Sequence, residues 1–157
     1  MLWGALFAAA LYFGIIQLVT AAREKKLIKN GEISKREKRF WKKEEVISTL
    51  VSPEVVKDSF DQLDTSPVGV SKYIDKDEIC GYIFQSNDIR NGLFEARMKS
   101  KGEEGIKYVY GIRFTSWRTK SFVVQGQIRM NRLLTLIENT FCELDPETVI
   151  ELRKVEK

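Results

Sequence analysis

The chain has 157 residues, with 26 Lys and Arg against 22 Asp and Glu, two cysteines and no histidine. Without histidine there is no Ser–His–Asp triad and no Cys–His nucleophile pair, and two thiols alone do not close a tetrahedral zinc set. Setting aside the first 43 residues leaves about 114, enough for one compact domain and not two.

The chain opens with its most distinctive stretch. Met1 to Ala22 carries no charged side chain, and only Tyr12, Gln17 and Thr20 have clearly polar groups. As a helix rising ~1.5 Å per residue it reaches roughly 33 Å, enough to cross a hydrocarbon core. The expectation is a transmembrane helix over residues 1–22. Cleavage as a secretory signal is the competing reading, because Val19-Thr20-Ala21 offers small residues. A signal peptide, however, opens with basic residues and has a shorter apolar run.

Residues 23–43 form a basic juxtamembrane segment, with ten basic residues against Glu24, Glu32 and Glu37, net +7. Basic residues beside a span stay in the cytoplasm, which predicts the N-terminus outside and the body inside. Arg23, Lys25, Lys26, Lys29, Lys35, Arg36, Lys38 and Arg39 are the expected contacts with an anionic lipid surface. A segment that only fixes topology is the plainer alternative. The remainder, residues 44–157, has 16 basic against 19 acidic residues, net −3. That balance argues against a nucleic-acid partner.

Lys29-Asn30-Gly31-Glu32 breaks the first helix, since Asn-Gly is a turn signal. Ser34 and Glu37 then stand at capping-box spacing, which predicts a helix from about Lys35 to Val51 with Phe40, Ile47 and Val51 on one face. Phe40 and Trp41 read as core, or alternatively as headgroup-level aromatics. Ser52-Pro53-Glu54 starts a second helix running to Leu63, burying Val55, Val56, Phe60 and Leu63. Asp64 to Lys72 reads as a loop.

The period then changes. Glu78 to Gln85 has the composition of a buried strand. Ser86-Asn87-Asp88 and Asn91-Gly92 mark a turn. Leu93 to Lys99 alternates, Lys101 to Gly105 turns, and Ile106 to Thr115 alternates again. Phe122 and Val124 suggest a further strand. Arg129 to Glu143 spaces Met130, Leu133, Leu134, Ile137, Phe141 and Leu144 along one helical face. Asp145-Pro146-Glu147 reads as the start of a last short helix holding Val149, Ile150 and Leu152. The predicted fold is α+β: an N-terminal transmembrane helix, then a two-layer domain in which an antiparallel meander of three or four strands packs on helices.

Three groups of residues are candidate sites. Tyr108, Tyr110, Phe114 and Trp117 line either an apolar pocket or simply the core. Arg129 and Arg132 sit at the helix end where acids are favoured, and Glu138 and Glu143 at the end where bases are. The arginines therefore suggest an anion site, with solvated side chains as the alternative. Cys80 and Cys142 read as two buried thiols, or as one disulfide if the domain lies outside the cytoplasm. No spacing points to catalysis, a cofactor or a metal. The expected function is a single-pass membrane protein with a small cytoplasmic, non-enzymatic interaction or scaffold domain that binds a protein partner. The alternative is a membrane-tethered domain binding a lipid or other apolar ligand.

Overall fold

The computed structural model describes residues 2–87 and 93–155. Most of the turn expected at Ser86-Asn87-Asp88 and Asn91-Gly92 lies outside the described residues. The chain divides into two units, Met1–Lys35 and Arg36–Lys157.

The first unit is built on helix α1, Leu2–Lys29. It is one helix long and apolar enough to cross a membrane. Its large apolar side chains from Leu6 to Val19 are open, with Phe7 70% and Leu18 73% exposed, while Leu27 near its end is buried. The helix continues beyond the apolar run through Arg23, Lys25, Lys26 and Lys29. It stops where the sequence says it should. Gly31 turns left-handed at φ 74°, and the amides of Gly31 and Glu32 donate to the carbonyls of Ile28 and Leu27 at 3.0 and 2.9 Å. This is the glycine-terminated Schellman closure, which satisfies carbonyls that the helix leaves open.

The second unit is a six-stranded antiparallel sheet with two helices. In chain order it comprises β1 (Lys43–Thr49), α2 (Pro53–Gln62), β2 (Val70–Asp75), β3 (Gly81–Ser86), β4 (Phe94–Glu104) and β5 (Lys107–Trp117). A small ribbon of β6 (Thr119–Lys120) and β7 (Val123–Val124) follows, then α3 (Gln127–Leu144) and β8 (Val149–Lys154). The sheet order is β2-β3-β4-β5-β1-β8. The meander predicted from alternation is present as β3 to β5; β2 extends it on one side and β1 and β8 on the other, giving six strands where three or four were expected.

Register places Ile47 beside Tyr110, Ile112 beside Met98, and Met98 beside Tyr82. These side chains share one face of the pleat. Val56 and Phe60 of α2 and Met130, Leu133, Leu134, Ile137 and Phe141 of α3 close over that face in a single core. Phe60 meets Tyr82 and Phe141 at ring-centroid distances of 5.6 and 5.3 Å, and Tyr110 meets Phe141 at 5.1 Å. The end of α2 is held from the sheet. The Lys72 ammonium donates to the carbonyls of Phe60, Asp61 and Leu63, at 3.1 and 2.8 Å for the last two. A cation on the last carbonyls suits the negative end of the helix dipole, and desolvation there lowers the Lys72 pKa.

Several expectations are corrected. Residues 35–51 are not a helix: a 3-10 turn at Phe40–Lys42 leads into β1. β1 is interior to the sheet, paired with β5 on one side and β8 on the other. Val46 and Ile47 are consequently both buried although they point to opposite faces, and this hides the two-residue period. The expected last helix is strand β8, whose Ile150 and Leu152 join the core from the edge. The loop read over residues 64–72 already holds the start of β2 at Val70. β4 runs on to Glu104 through a register shift between Ser100 and Gly102, so the reversal falls at Gly105 and Ile106, at the very end of the expected turn. Val55, Ile79 and Leu144 are exposed. Cys80 is buried, Cys142 is exposed, and both are free thiols.

Candidate functional site

The predicted membrane-surface residues divide. Arg23, Lys25, Lys26, Lys29, Lys35, Lys38 and Arg39 are exposed. Arg36 is not: its side chain is 5% exposed and belongs to a buried polar cluster. Glu45 supplies one side of the cluster from the helix-facing side of β1. Asn131, Thr135 and Glu138 supply the other from successive turns of α3. Arg36 donates from Nε to Asn131 Oδ1 and from Nη1 to Glu45 Oε2, both at 2.8 Å. Its Nη2 lies 2.9 Å from Glu138 Oε2, close enough for an ion pair but outside hydrogen-bond alignment. Thr135 donates to the same Asn131 oxygen at 3.2 Å.

Glu45 Oε1 is buried and receives no N–H or O–H from a neutral or basic group among the described residues. The Glu45 carboxyl also interacts with the Glu138 carboxyl. Burial comes first and this neighbour second in raising the Glu45 pKa from 4.5 to about 8, with Arg36 pulling the other way. Two carboxylates cannot hydrogen-bond to each other unless one carries a proton. A proton on Glu45, with the second carboxyl set against one guanidinium, makes the cluster electrically neutral. Buried charge is tolerable only when balanced in this way. The arrangement fastens the start of the second unit to β1 and α3.

The four aromatic residues predicted to line a pocket sit in or against the core. Tyr110 is fully buried and its hydroxyl donates to the Val51 carbonyl at 2.9 Å. Phe114 packs edge-on against Phe94 and Phe40 at 5.4 and 6.3 Å. Tyr108 and Trp117 are partly buried against the same core. Phe40 and Trp41 likewise meet edge to face at 5.4 Å within the body, so their core reading holds. Of the predicted anion site, Arg129 is half-buried, with Nη1 3.3 Å from Ser86 Oγ. Its guanidinium lies where a side chain at Gly69 would come within 3.0 Å of it. Arg132 is also half-buried, and both arginines are engaged within the chain.

The face of the sheet away from the helices is open and charged. Arg97 and Arg113 stand opposite each other in register, and Glu44 stands opposite Arg113 on its other side. Glu95 accepts from Arg97, Gln85 and Thr115 at 2.9, 3.1 and 2.9 Å. These bonds hold the Glu95 carboxyl below its usual range, Arg97 foremost. Lys101 pairs with Glu44 at 2.5 Å. Among the described residues, no three Cys, Asp or Glu side chains converge as a metal site requires.

One feature escaped the sequence reading altogether. Phe122, expected inside a strand, is the tip of the β6–β7 ribbon and is 102% exposed. The two strands pair through Lys120↔Val123 and Thr119↔Val124, leaving Ser121 and Phe122 as a two-residue turn. Both have positive φ, 49° and 65°. That is the signature of the hairpin turn normally built from Asn-Gly. Left-handed backbone costs about 1–2 kcal/mol per residue for side chains of this kind. The base of the ribbon is fixed: Arg118 N donates to Leu93 O and Gln125 N to Arg118 O, both at 2.9 Å, and Val124 packs on the core.

No family model, curated protein or solved structure matches this chain.

Proposed function

We propose that this chain is a single-pass membrane protein whose second unit is a small cytoplasmic interaction module. The observation that carries the reading is α1. It is a 28-residue helix whose large apolar side chains from Leu6 to Val19 have no covering, with exposed basic residues in its last turns. Water does not tolerate an apolar surface of that size, and a bilayer does. The basic residues favour the cytoplasmic side and attract anionic lipid by ~1 kcal/mol each near the surface.

The interaction role draws its support from the open face of the sheet. Arg97, Arg113, Lys99 and Tyr73 stand there in solvent. A partner with an acidic, hydrogen-bonding surface suits that chemistry. The rival reading, an apolar ligand behind the aromatic strand, finds less support, because Tyr110 and Phe114 already spend their faces on other rings.

The test is a pair of topology fusions, after Lys35 and after Lys157, with one reporter active only outside the cytoplasm and one only inside. Activity of the inside reporter at both positions, on protein that resists alkaline extraction and keeps Met1 to Ala22 by mass, is the expected result. Loss of the first residues would restore the cleaved-signal reading. A photo-crosslinker at Arg113 then asks for the partner, and adducts containing only the chain itself would count against an interaction module.

A further inference from the structure

We propose that the β6–β7 hairpin is a second membrane contact of this chain, with Phe122 entering the headgroup layer of an anionic leaflet and Lys120 lying beside it on the phosphates. The inference rests on the membrane-anchor reading above and adds a contact made by the second unit itself.

Shape supplies the first argument. The turn at Ser121-Phe122 holds two left-handed non-glycine residues where Asn-Gly would fit without strain. The strain serves no packing, since Phe122 touches solvent over its whole surface. Backbone strain that buries nothing in the molecule points to something outside it. The ribbon is also fixed at its base by the Arg118 and Gln125 backbone bonds and by Val124 against the core. The tip is therefore presented in advance, and little ordering is needed on contact.

Charge supplies the second argument and chooses the occupant. Residues 105–137 contain six basic side chains (Lys107, Arg113, Arg118, Lys120, Arg129, Arg132) and no acidic one. Yet residues 44–157 as a whole are net −3. The exposed aromatic thus sits in the one long cationic tract of an otherwise acidic body, with exposed Lys120 next to the turn and Val123 45% exposed after it. An exposed aromatic tip with an exposed lysine beside it is the chemistry of the lipid headgroup layer. A protein pocket for a lone phenyl ring has no need of the lysine. Only six residues, Asn30 to Lys35, join α1 to the second unit, and at roughly 3.5 Å each they span little more than 20 Å. A tether this short gives even a weak contact a high effective concentration.

The experiment uses the full chain reconstituted in vesicles of phosphatidylcholine alone, or of equal parts phosphatidylcholine and phosphatidylserine. A polarity-sensitive dye on Val123→Cys, in a Cys142→Ser background, reports on the tip with Phe122 intact. The same dye on Ile106→Cys, at the other exposed hairpin turn, is the control. The proposal expects a blue shift and quenching by lipid-borne quencher at position 123 in the anionic vesicles only, with position 106 unchanged in both. Lys120→Glu is expected to lower the docked-to-undocked ratio about fivefold or more, since each basic residue near such a surface is worth ~1 kcal/mol. Ser121→Asn with Phe122→Gly should raise the melting temperature by relieving the turn, and should abolish the blue shift.

A dye that stays in water on a chain resisting alkaline extraction overturns the proposal alone. So does a shift that survives Phe122→Gly, one that is equal at positions 106 and 123, or a tip that crosslinks to protein while ignoring lipid. A chain that washes off the vesicles overturns the anchor reading, and the second contact with it.

Discussion

Glu45 and Asp145 are both buried carboxyl groups, and they act at opposite ends of β1. Asp145 follows α3 and reaches the end of the strand. It accepts from the Thr49 hydroxyl at 2.8 Å, the Leu50 amide at 2.9 Å and the Glu147 amide at 3.0 Å. Those donors, the Leu50 amide first, hold its pKa below the usual carboxylate value. Glu45 has Arg36 on one oxygen, no donor among the described residues on the other and a second carboxyl nearby, and its pKa rises instead. Glu45 is the more deeply buried of the two, and it is also the one with fewer donors. A carboxylate with three donors keeps its charge inside a protein, and one that must share with a second acid takes up a proton. Asp145 is thus a charged tie between β1, α3 and the approach to β8, whereas the Arg36 cluster is a neutral one.

Removing the cation from the neutral cluster is the harshest way to break this comparison. In Arg36→Met, Glu45 and Glu138 remain buried against each other with no counter-charge, and a cost of about 3–5 kcal/mol is expected. Urea denaturation followed by the fluorescence of Trp41 and Trp117 reads it directly. If the cluster matters only through charge balance, adding Glu45→Met and Glu138→Leu to Arg36→Met returns most of the loss, because an apolar set of similar volume replaces a buried ion group with little penalty. A single variant as stable as the parent would mean that water reaches the cluster.

Asp145→Ala comes next. It strands the Thr49 hydroxyl and the Leu50 amide where the chain leaves β1, and buried donors left without an acceptor are destabilising. The expected result is a clearly lowered denaturation midpoint, with Asp145→Asn between the variant and the parent because the amide oxygen still accepts. Acid titration of the parent should show the same tie. Its depressed pKa means that its contribution is whole above about 3.9 and is lost as pH falls below that toward the folded value.

How much of this is legible in the sequence depends on distance along the chain. The elements that carry their own periodicity are readable: α3 by its spaced Met130, Leu133, Leu134, Ile137 and Phe141, α2 by Pro53, and β4 and β5 by strict alternation. β1 is not readable. It is wedged between two strands, and its Glu44-Glu45 pair looks like a helix surface. β8 is too short to show a period, and its acidic, proline-bearing approach imitates a helix start. The Arg36 cluster joins residues nine and ninety-five apart, which no local pattern can announce. A faint signal does exist, in that Glu138 is an acid at the helix end where acids are disfavoured, and Arg36 is its reason. The Ser121-Phe122 turn is invisible because it uses neither Asn nor Gly, the residues by which such turns are recognised.

The smallest change should be the most informative about the proton. Glu45→Gln replaces a protonated carboxyl by an uncharged amide of the same shape, so below pH 4.5, where the carboxyl is protonated in the folded and the unfolded chain alike, its effect should stay within ~1 kcal/mol. The pH dependence is where the parent and the variant separate. In the parent, folding raises the Glu45 pKa from 4.5 to about 8. Between those values the folded body holds a proton that the unfolded chain releases. Its contribution to stability is therefore whole below pH 4.5 and is lost as pH rises toward 8, at up to ~1.4 kcal/mol per pH unit. Glutamine has no proton to exchange, and Glu138 is then left as a simple partner of Arg36. Stability of the variant should be nearly flat over that window, so the two curves start close together on the acid side and the variant pulls ahead as pH rises toward 8. Parallel curves would show that both carboxyls stay ionised and that water or backbone supplies the missing donor to Glu45.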